Sequence, residues 1–203
     1  FISSITSSEA ISANRGIVNK GTLTFTNTSE NATDMYGTGT SICNEGTLNI
    51  NGTFKIITSG KDGTTTLQKR LGIQNTATGV VNINSSTAEI SYCGYRGILN
   101  NGTLNMKGGK IHHCAVSDTT SENGGGIVHS GDSSVFTMSG GSIYNNEAYK
   151  GAGVYFSTAG KASKITGGSI YNNTGSYGAG ITTYRTNGLT ISGGNIYKNS
   201  ASI

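Results

Sequence analysis

One stretch, Ser139-Gly-Gly-Ser-Ile-Tyr-Asn-Asn146 followed by Gly151-Ala-Gly-Val154, constrains this chain more than any other, because it recurs. It returns as Thr166-Gly-Gly-Ser-Ile-Tyr-Asn-Asn173 with Gly178-Ala-Gly-Ile181, and again as Ser192-Gly-Gly-Asn-Ile-Tyr-Lys-Asn199. Ile143, Ile170 and Ile196 are 27 and 26 residues apart. A unit of that size cannot bury its own apolar side chains and has to stack on copies of itself. The repeat therefore predicts a solenoid.

Three apolar columns extend the repeat over most of the chain. The first is Ile17, Ile42, Ile73, Ile98, Ile127, Val154 and Ile181, with steps of 25, 31, 25, 29, 27 and 27 residues. The second consists mostly of pairs spaced i, i+2: Leu23 and Phe25, Leu48 and Ile50, Val81 and Ile83, Leu104 and Met106, Phe136 and Met138, then Ile165, then Leu189 and Ile191. That spacing puts both side chains of a pair on one face of a strand. The third is Ile90, Ile111, Ile143, Ile170 and Ile196, with Met35 and Ile56 assigned to it in the lower coils. Three inward-facing strands per coil is the pattern of a three-faced parallel β-helix. About seven coils at the inter-strand spacing of a sheet would make a rod about 35 Å long.

Turn chemistry agrees with this reading. Asn-Lys-Gly-Thr-Leu at 19–23, Asn-Glu-Gly-Thr-Leu at 44–48 and Asn-Asn-Gly-Thr-Leu at 100–104 place Asn and Gly at the first corner. Gly108-Gly109, Gly140-Gly141, Gly167-Gly168 and Gly193-Gly194 mark the second, where a positive φ or close backbone approach is expected. The segments 115–126, 147–153 and 174–180 read as loops gathered at the third corner, where a solenoid carries binding function. Residues 1–16 read as a partial first coil with Ile2, Ile5 and Ile11 inward, and 59–72 as an irregular insertion. The expectation is one solenoid domain over 1–203.

Composition narrows the function classes. Gly is 32 of 203 residues, Pro is absent and only 12% are charged, unlike a flexible low-complexity linker. The net charge of +4 is scattered, and no basic run interleaved with aromatics supports nucleic-acid binding. No stretch approaches the ~20 apolar residues of a membrane helix. A start at Phe1, without initiator Met or signal peptide, leads to the expectation that the chain is cut from something longer.

At the Ser-Gly-Gly-Ser-Ile-Tyr-Asn-Asn…Gly-Ala-Gly-Val signature, the sequence resembles the right-handed parallel β-helix repeats, of pectate-lyase-like fold, in bacterial and archaeal surface adhesin-like proteins. It is similar to the repeats of polymorphic outer-membrane proteins. Gly124-Gly-Gly-Ile127, Gly151-Ala-Gly-Val154 and Gly178-Ala-Gly-Ile181 match the Gly-Gly-Ala-Ile motif of those families loosely. Tyr144-Asn-Asn146, Tyr171-Asn-Asn173 and Tyr197-Lys-Asn199 are similar to their aromatic-x-x-Asn motif, with one residue fewer in between. The likeness is strong over 98–203, fair over 16–58 and poor over 59–72. It implies an all-β right-handed parallel β-helix in a secreted or cell-surface setting.

Candidate residues follow from the columns. Asn146, Asn173 and Asn199 are expected to form an internal amide ladder. Cys93 and Cys114 share that column, each three residues after its Ile. Neighbouring strands lie within the Cα range of a disulfide, so a bridge and two stacked thiols both stay open. Cys43 falls in an outward column, and the odd count leaves at least one free thiol. A metal site from His112, His113 and Cys114 is disfavoured, because contiguous residues cannot all point one way and no other His or carboxylate lies in the adjacent columns. The sequence calls for no cofactor.

Tyr144, Tyr171 and Tyr197 should stack outward with His112 one coil earlier. They form either a structural ladder or a sugar-binding strip, which Tyr155, Tyr177 and Tyr184 would widen. Catalysis would need converging carboxylates. Only Asp118, Glu122 and Glu147, with Lys150 or Arg96, share a corner. The outward column Thr24, Asn49, Asn82, Asn105, Thr137, Lys164 and Thr190 reads as a solvated strand face, and the Asn-x-Ser/Thr sites as products of composition.

The functional expectation is an adhesin-like or structural stalk that contacts glycans or a host surface. The alternatives are a polysaccharide lyase or glycoside hydrolase of this fold, and a fibre subunit that associates head to tail through exposed strand edges.

Overall fold

A computed structural model describes residues 2–5, 15–27, 39–58, 70–116, 121–157, 160–184 and 188–202. These residues form strands and turns with no helix, stacked as a parallel β-solenoid.

The first face is a sheet of seven parallel strands: Arg15–Asn19, Thr40–Asn44, Leu71–Asn75, Arg96–Asn100, Ile127–His129, Val154–Phe156 and Ile181–Thr183. Seven strands give six coil-to-coil steps, so the solenoid has about six turns, in rough agreement with the seven coils expected from sequence. Ile17, Ile42, Ile73, Ile98, Ile127, Val154 and Ile181 pair in one unbroken register. The coils vary in length, yet the register holds because every apolar residue meets another in the coil above. A one-residue slip would turn the whole strand outward.

The second face holds Thr22–Phe25, Thr47–Ile50, Val80–Ile83, Thr103–Met106 and Val135–Met138. The third holds Lys55–Ile57, Glu89–Ser91, Lys110–His112 and Ser142–Tyr144. The two faces join into one 12-stranded sheet because Ser163–Tyr171 and Leu189–Tyr197 run across the corner between them. That corner needs glycine. Gly141 has φ +81°, and a Cβ there would lie 2.4 Å from the Gly108 carbonyl oxygen. Ile56 pairs with Ile90, as the third column requires, whereas Met35 lies outside the described residues.

Three sequence expectations change. Ile2–Ile5 pairs antiparallel with Thr22–Phe25 and so is not a partial parallel coil; Ile11 lies outside the described residues. Leu71–Asn75 is a regular first-face strand, so the irregular stretch ends before it, and 59–69 lie outside the described residues. The segments expected as loops at 147–153 and 174–180 contain strands: Glu147–Lys150, Thr174–Tyr177 and Ser200–Ala201 form a fourth face, a three-stranded parallel sheet.

The core runs along the axis as stacked Ile, Leu, Val, Met and Phe, with Ile42, Leu48, Ile73, Ile98, Leu104, Phe136 and Ile143 fully buried. Phe25 and Phe54 stack at 3.8 Å between centroids and close its lower part. Truncating one residue of these columns to Ala costs about 2–5 kcal/mol, because the neighbouring coils hold the cavity open.

Candidate functional site

Five strands of the third face, all but Lys55–Ile57, end in the same way. One residue points out, the next turns the chain with a positive φ, and the one after points in. The turning residues are Tyr92, His113, Asn145, Asn172 and Lys198, all with φ between 51° and 53°. Among residues with a side chain, Asn tolerates this left-handed conformation best. The single-residue turn separates the outward His112 from the inward Cys114, so the sequence His112-His113-Cys114 points three ways.

The outward residues form a stack. His112 lies on Tyr144 at 4.7 Å between centroids, Tyr144 on Tyr171 at 5.0 Å and Tyr171 on Tyr197 at 5.1 Å, with interplanar angles of 18°, 4° and 7°. Tyr92 stacks on His113 beside it at 5.0 Å. The ladder geometry decides what this strip can do. The rings stand like plates along the solenoid axis and cover one another's faces, so edges and hydroxyls look outward. A pyranose stacking on an aromatic needs a bare ring face, which Tyr144 and Tyr171 do not offer. Burial raises the pKa of Tyr144, helped by the neighbouring Tyr171, and burial followed by Tyr197 does the same to Tyr171.

The other three tyrosines do not widen the strip. Tyr155 is buried on the outside of the first face, in register between Val128 and Thr182, and the exposed Tyr184 follows the last strand of that face. Tyr177 lies on the fourth face, edge-on to Tyr149 at 5.3 Å, with the Lys150 ammonium 5.2 Å from its ring centroid.

A charged cluster sits at the lower end of the stack. Glu89 Oε1 is 3.3 Å from His112 Nε2, Glu89 Oε2 is 3.8 Å from Lys55 Nζ, and Ser91 Oγ donates to Glu89 Oε1 at 2.9 Å. His112 and His113 share a 2.7 Å Nδ1–Nδ1 hydrogen bond, so one donates and the other accepts. Burial lowers the His112 pKa, with Glu89 opposing. A carboxylate thus does stand beside His112, contrary to the column reading. Glu89 is one strand away and two positions off, a diagonal on the same face that alignment by column hides. The cluster is not ordered for nucleophilic catalysis: Ser91 donates to the carboxylate, whereas an activated hydroxyl donates to the imidazole. Among the described residues, no three His, Cys, Asp or Glu converge on a point that could hold a metal ion.

The corner acids Glu122 and Glu147 do not stand opposite each other either. Bridges set Ala115 opposite Glu147 and Asn123 opposite Lys150, and Tyr149 N donates to the Glu122 carbonyl oxygen at 2.7 Å. Glu122 therefore stands opposite Tyr149, and the two carboxylates share no rung. Arg96 donates from Nε to the Asn123 carbonyl at 3.1 Å and lies 3.8 Å over the Tyr95 ring. Asp118 lies outside the described residues.

Inside the third corner, Asn146 Nδ2 donates to Asn173 Oδ1 at 3.0 Å, and Asn173 Nδ2 to Asn199 Oδ1 at 2.9 Å. The same Nδ2 groups donate to the carbonyls of Ile111 and Ile143, at 3.2 and 3.1 Å. Glycine makes room for them: a Cβ on Gly153 would lie 3.0 Å from Asn173 Nδ2 and 2.4 Å from the Gly180 oxygen. Cys93 and Cys114 continue the column as free buried thiols, and Cys114 N donates to Asn146 Oδ1 at 3.0 Å. Burial pushes the Cys114 thiol well above its usual pKa. Cys43 is also buried, although its column faces outward.

A second ladder went unread in the sequence. Asn19 Nδ2 donates to Asn44 Oδ1, Asn44 to Asn75 and Asn75 to Asn100, at 2.7, 2.9 and 2.7 Å. Asn100 Nδ2 then donates to His129 Nδ1 at 3.0 Å, which leaves Nε2–H to donate to Ser134 Oγ at 3.0 Å. Burial holds His129 at a pKa of about 4. The signal was the Asn two residues ahead of Gly-Thr-Leu at Asn19, Asn44 and Asn100, whereas Asn75 precedes Thr-Ala-Thr-Gly-Val. A third, outward ladder links Asn49, Asn82 and Asn105, with Nδ2–Oδ1 distances of 2.8 and 2.9 Å.

No family model matches the chain, and neither a curated protein nor a solved structure matches it.

Proposed function

We propose that this solenoid is a rigid display element of a secreted or cell-surface protein, adhesin-like and related to the pectate-lyase-like β-helices. Its outer faces contact glycans or a host surface. One observation carries the reading: the repeated polar and aromatic side chains, from Asn19 to Asn100, Asn146 to Asn199 and Tyr144 to Tyr197, bond coil to coil. A chain whose repeated polar chemistry tightens its own stack is suited to stiffness and presentation rather than to turnover. The test is incubation with pectins, alginates and neutral glycans, with and without Ca²⁺, followed by assay for unsaturated or reducing ends. Retention of a glycan without new ends is the expected result. New ends would overturn the reading in favour of a lyase or hydrolase.

A fibre is the second reading, and a specific feature favours it. Ile191, Ile196 and Tyr197 are exposed on Leu189–Tyr197, which pairs with Ser163–Tyr171. Against it, the opposite edge of the second face carries the antiparallel Ile2–Ile5 strand, which breaks the parallel pattern that head-to-tail growth would continue. Light scattering over a concentration series decides: growing mass means fibre, constant mass a discrete rod.

A further inference from the structure

Past the Asn146 corner the chain enters the fourth face, where small side chains leave a hollow. A cavity of about 230 Å³ runs across three coils there, lined by Glu147, Thr174, Ser176, Ser200 and Ser202 over a floor of alanine and glycine. Glu147, Thr174 and Ser200 stand in register on successive strands and are exposed. Ala148 and Gly175, in register just beside them, supply the floor. The sequence reading placed binding function at this corner but took its segments for loops, and Ser200 and Ser202 were not among them.

We infer that this groove binds one neutral hexose ring of a glycan. The inference rests on the reading that the outer faces contact glycans, and it moves the contact from the tyrosine strip to the fourth face.

The lining chemistry selects the ligand class. Hydroxyls of Thr174, Ser176, Ser200 and Ser202 both donate and accept, and the Glu147 carboxylate accepts only. A sugar ring carries several hydroxyls that can donate to the carboxylate while accepting from the serines and threonine. A phosphate or carboxylate ligand would meet Glu147 with like charge. A calcium ion takes six to eight oxygens, usually several of them carboxylate, and one glutamate with scattered hydroxyls falls short of that set. An apolar peptide would find no large apolar side chain to pack on. The size also fits: pockets for drug-sized ligands span about 300–1,000 Å³, so a smaller hollow suits a single ring. The tyrosine ladder offers the opposite surface at Tyr144 and Tyr171, whose ring faces are covered on both sides.

The test is a titration of isotope-labelled protein with glucose, galactose, mannose and N-acetylglucosamine up to roughly 50 mM, where weak single-ring binding becomes visible. Amide shifts at Glu147, Thr174, Ser176 and Ser200 with at least one sugar are the expected result. Glu147→Gln should weaken that binding about tenfold, as loss of a charge-assisted hydrogen bond does. Ser176→Lys, which fills the hollow from an accessible position, should abolish it; the amide spectrum of each variant reports folding. Shifts confined to Tyr144, Tyr171 and Tyr197 would overturn the groove and leave the glycan-contact reading standing. Shifts nowhere with any sugar would overturn the groove, and an empty polysaccharide panel in addition would remove the wider reading. The same groove shifts with Ca²⁺ alone would overturn the sugar assignment.

Discussion

The two inner corners of the solenoid solve one problem in alternation. At the end of the first face the buried column reads Asn19, Asn44, Asn75, Asn100, His129, Phe156. At the end of the third face it reads Cys93, Cys114, Asn146, Asn173, Asn199. Within a coil, Asn75 accompanies Cys93, Asn100 accompanies Cys114, His129 accompanies Asn146 and Phe156 accompanies Asn173. Each of these coils carries an amide at one corner and a small thiol or an aromatic ring at the other. Apolar columns forbid a one-residue slip but accept a two-residue one, which returns the same face to the core. A buried amide accepts neither, because a slip leaves its donors and acceptors unpaired. One ladder per coil is enough to pin register, which frees the other corner for packing, as where His129 and Phe156 close on Phe136.

The largest test of that contrast removes an amide where it works alone. Asn75 accepts from Asn44 and donates to Asn100 Oδ1 and to the carbonyls of Gly79 and Thr103. Asn75→Ala orphans several buried groups and should cost about 3–5 kcal/mol in urea unfolding. Cys114→Ala, at the partner corner, should cost about 1 kcal/mol. Equal losses would break the comparison.

The junction residue His129 should make stability depend on pH. Its Nδ1 accepts from Asn100, so protonation sets one donor against another, and its folded pKa is about 4 against a usual 6.5. The unfolded chain then binds the proton more readily than the folded one. Stability is full above pH 6.5 and falls as the pH drops toward 4, by on the order of 3 kcal/mol. His129→Asn should flatten that part of the pH profile of urea midpoints. An unchanged profile would show that the ladder does not end in a neutral imidazole.

Cys114→Asn gives one coil amides at both corners. The cradle is similar, with a Cβ on Gly97 3.3 Å from Cys114 Sγ much as Gly153 faces Asn173. The new Nδ2 would reach Asn146 Oδ1, so a gain of about 1 kcal/mol is expected. A loss would mean that the alternation reflects limited interior volume. The smallest effect belongs to the turn itself. Lys198 holds φ 51° where its counterparts Asn145 and Asn172 are asparagine. Lys198→Asn should raise the melting temperature slightly, by about 0.5–1 kcal/mol of stability.

Much of this could be read from the chain. The Ile17 to Ile181 column, the stacking of Tyr144, Tyr171 and Tyr197 and the Asn146 ladder all follow from position in a repeat, since stacked coils bring like positions together. The first-corner ladder was misread because Asn before Gly-Thr-Leu is also ordinary turn chemistry, and a turn asparagine normally faces water. The fourth face was missed because Glu-Ala-Tyr-Lys carries a single small inward residue, Ala148, too weak a pattern to announce a strand.

The sequence by itself determined what stacks on what: period and register are properties of spacing, and each coil repeats the chemistry of its neighbour. Only the tertiary structure decided what that stacking leaves free. Whether Asn19 points in, whether a tyrosine shows its face or its edge, and whether Glu89 reaches His112 depend on corner dihedrals and diagonal neighbours. Those are set by where the chain turns in space, and residue spacing carries no record of it.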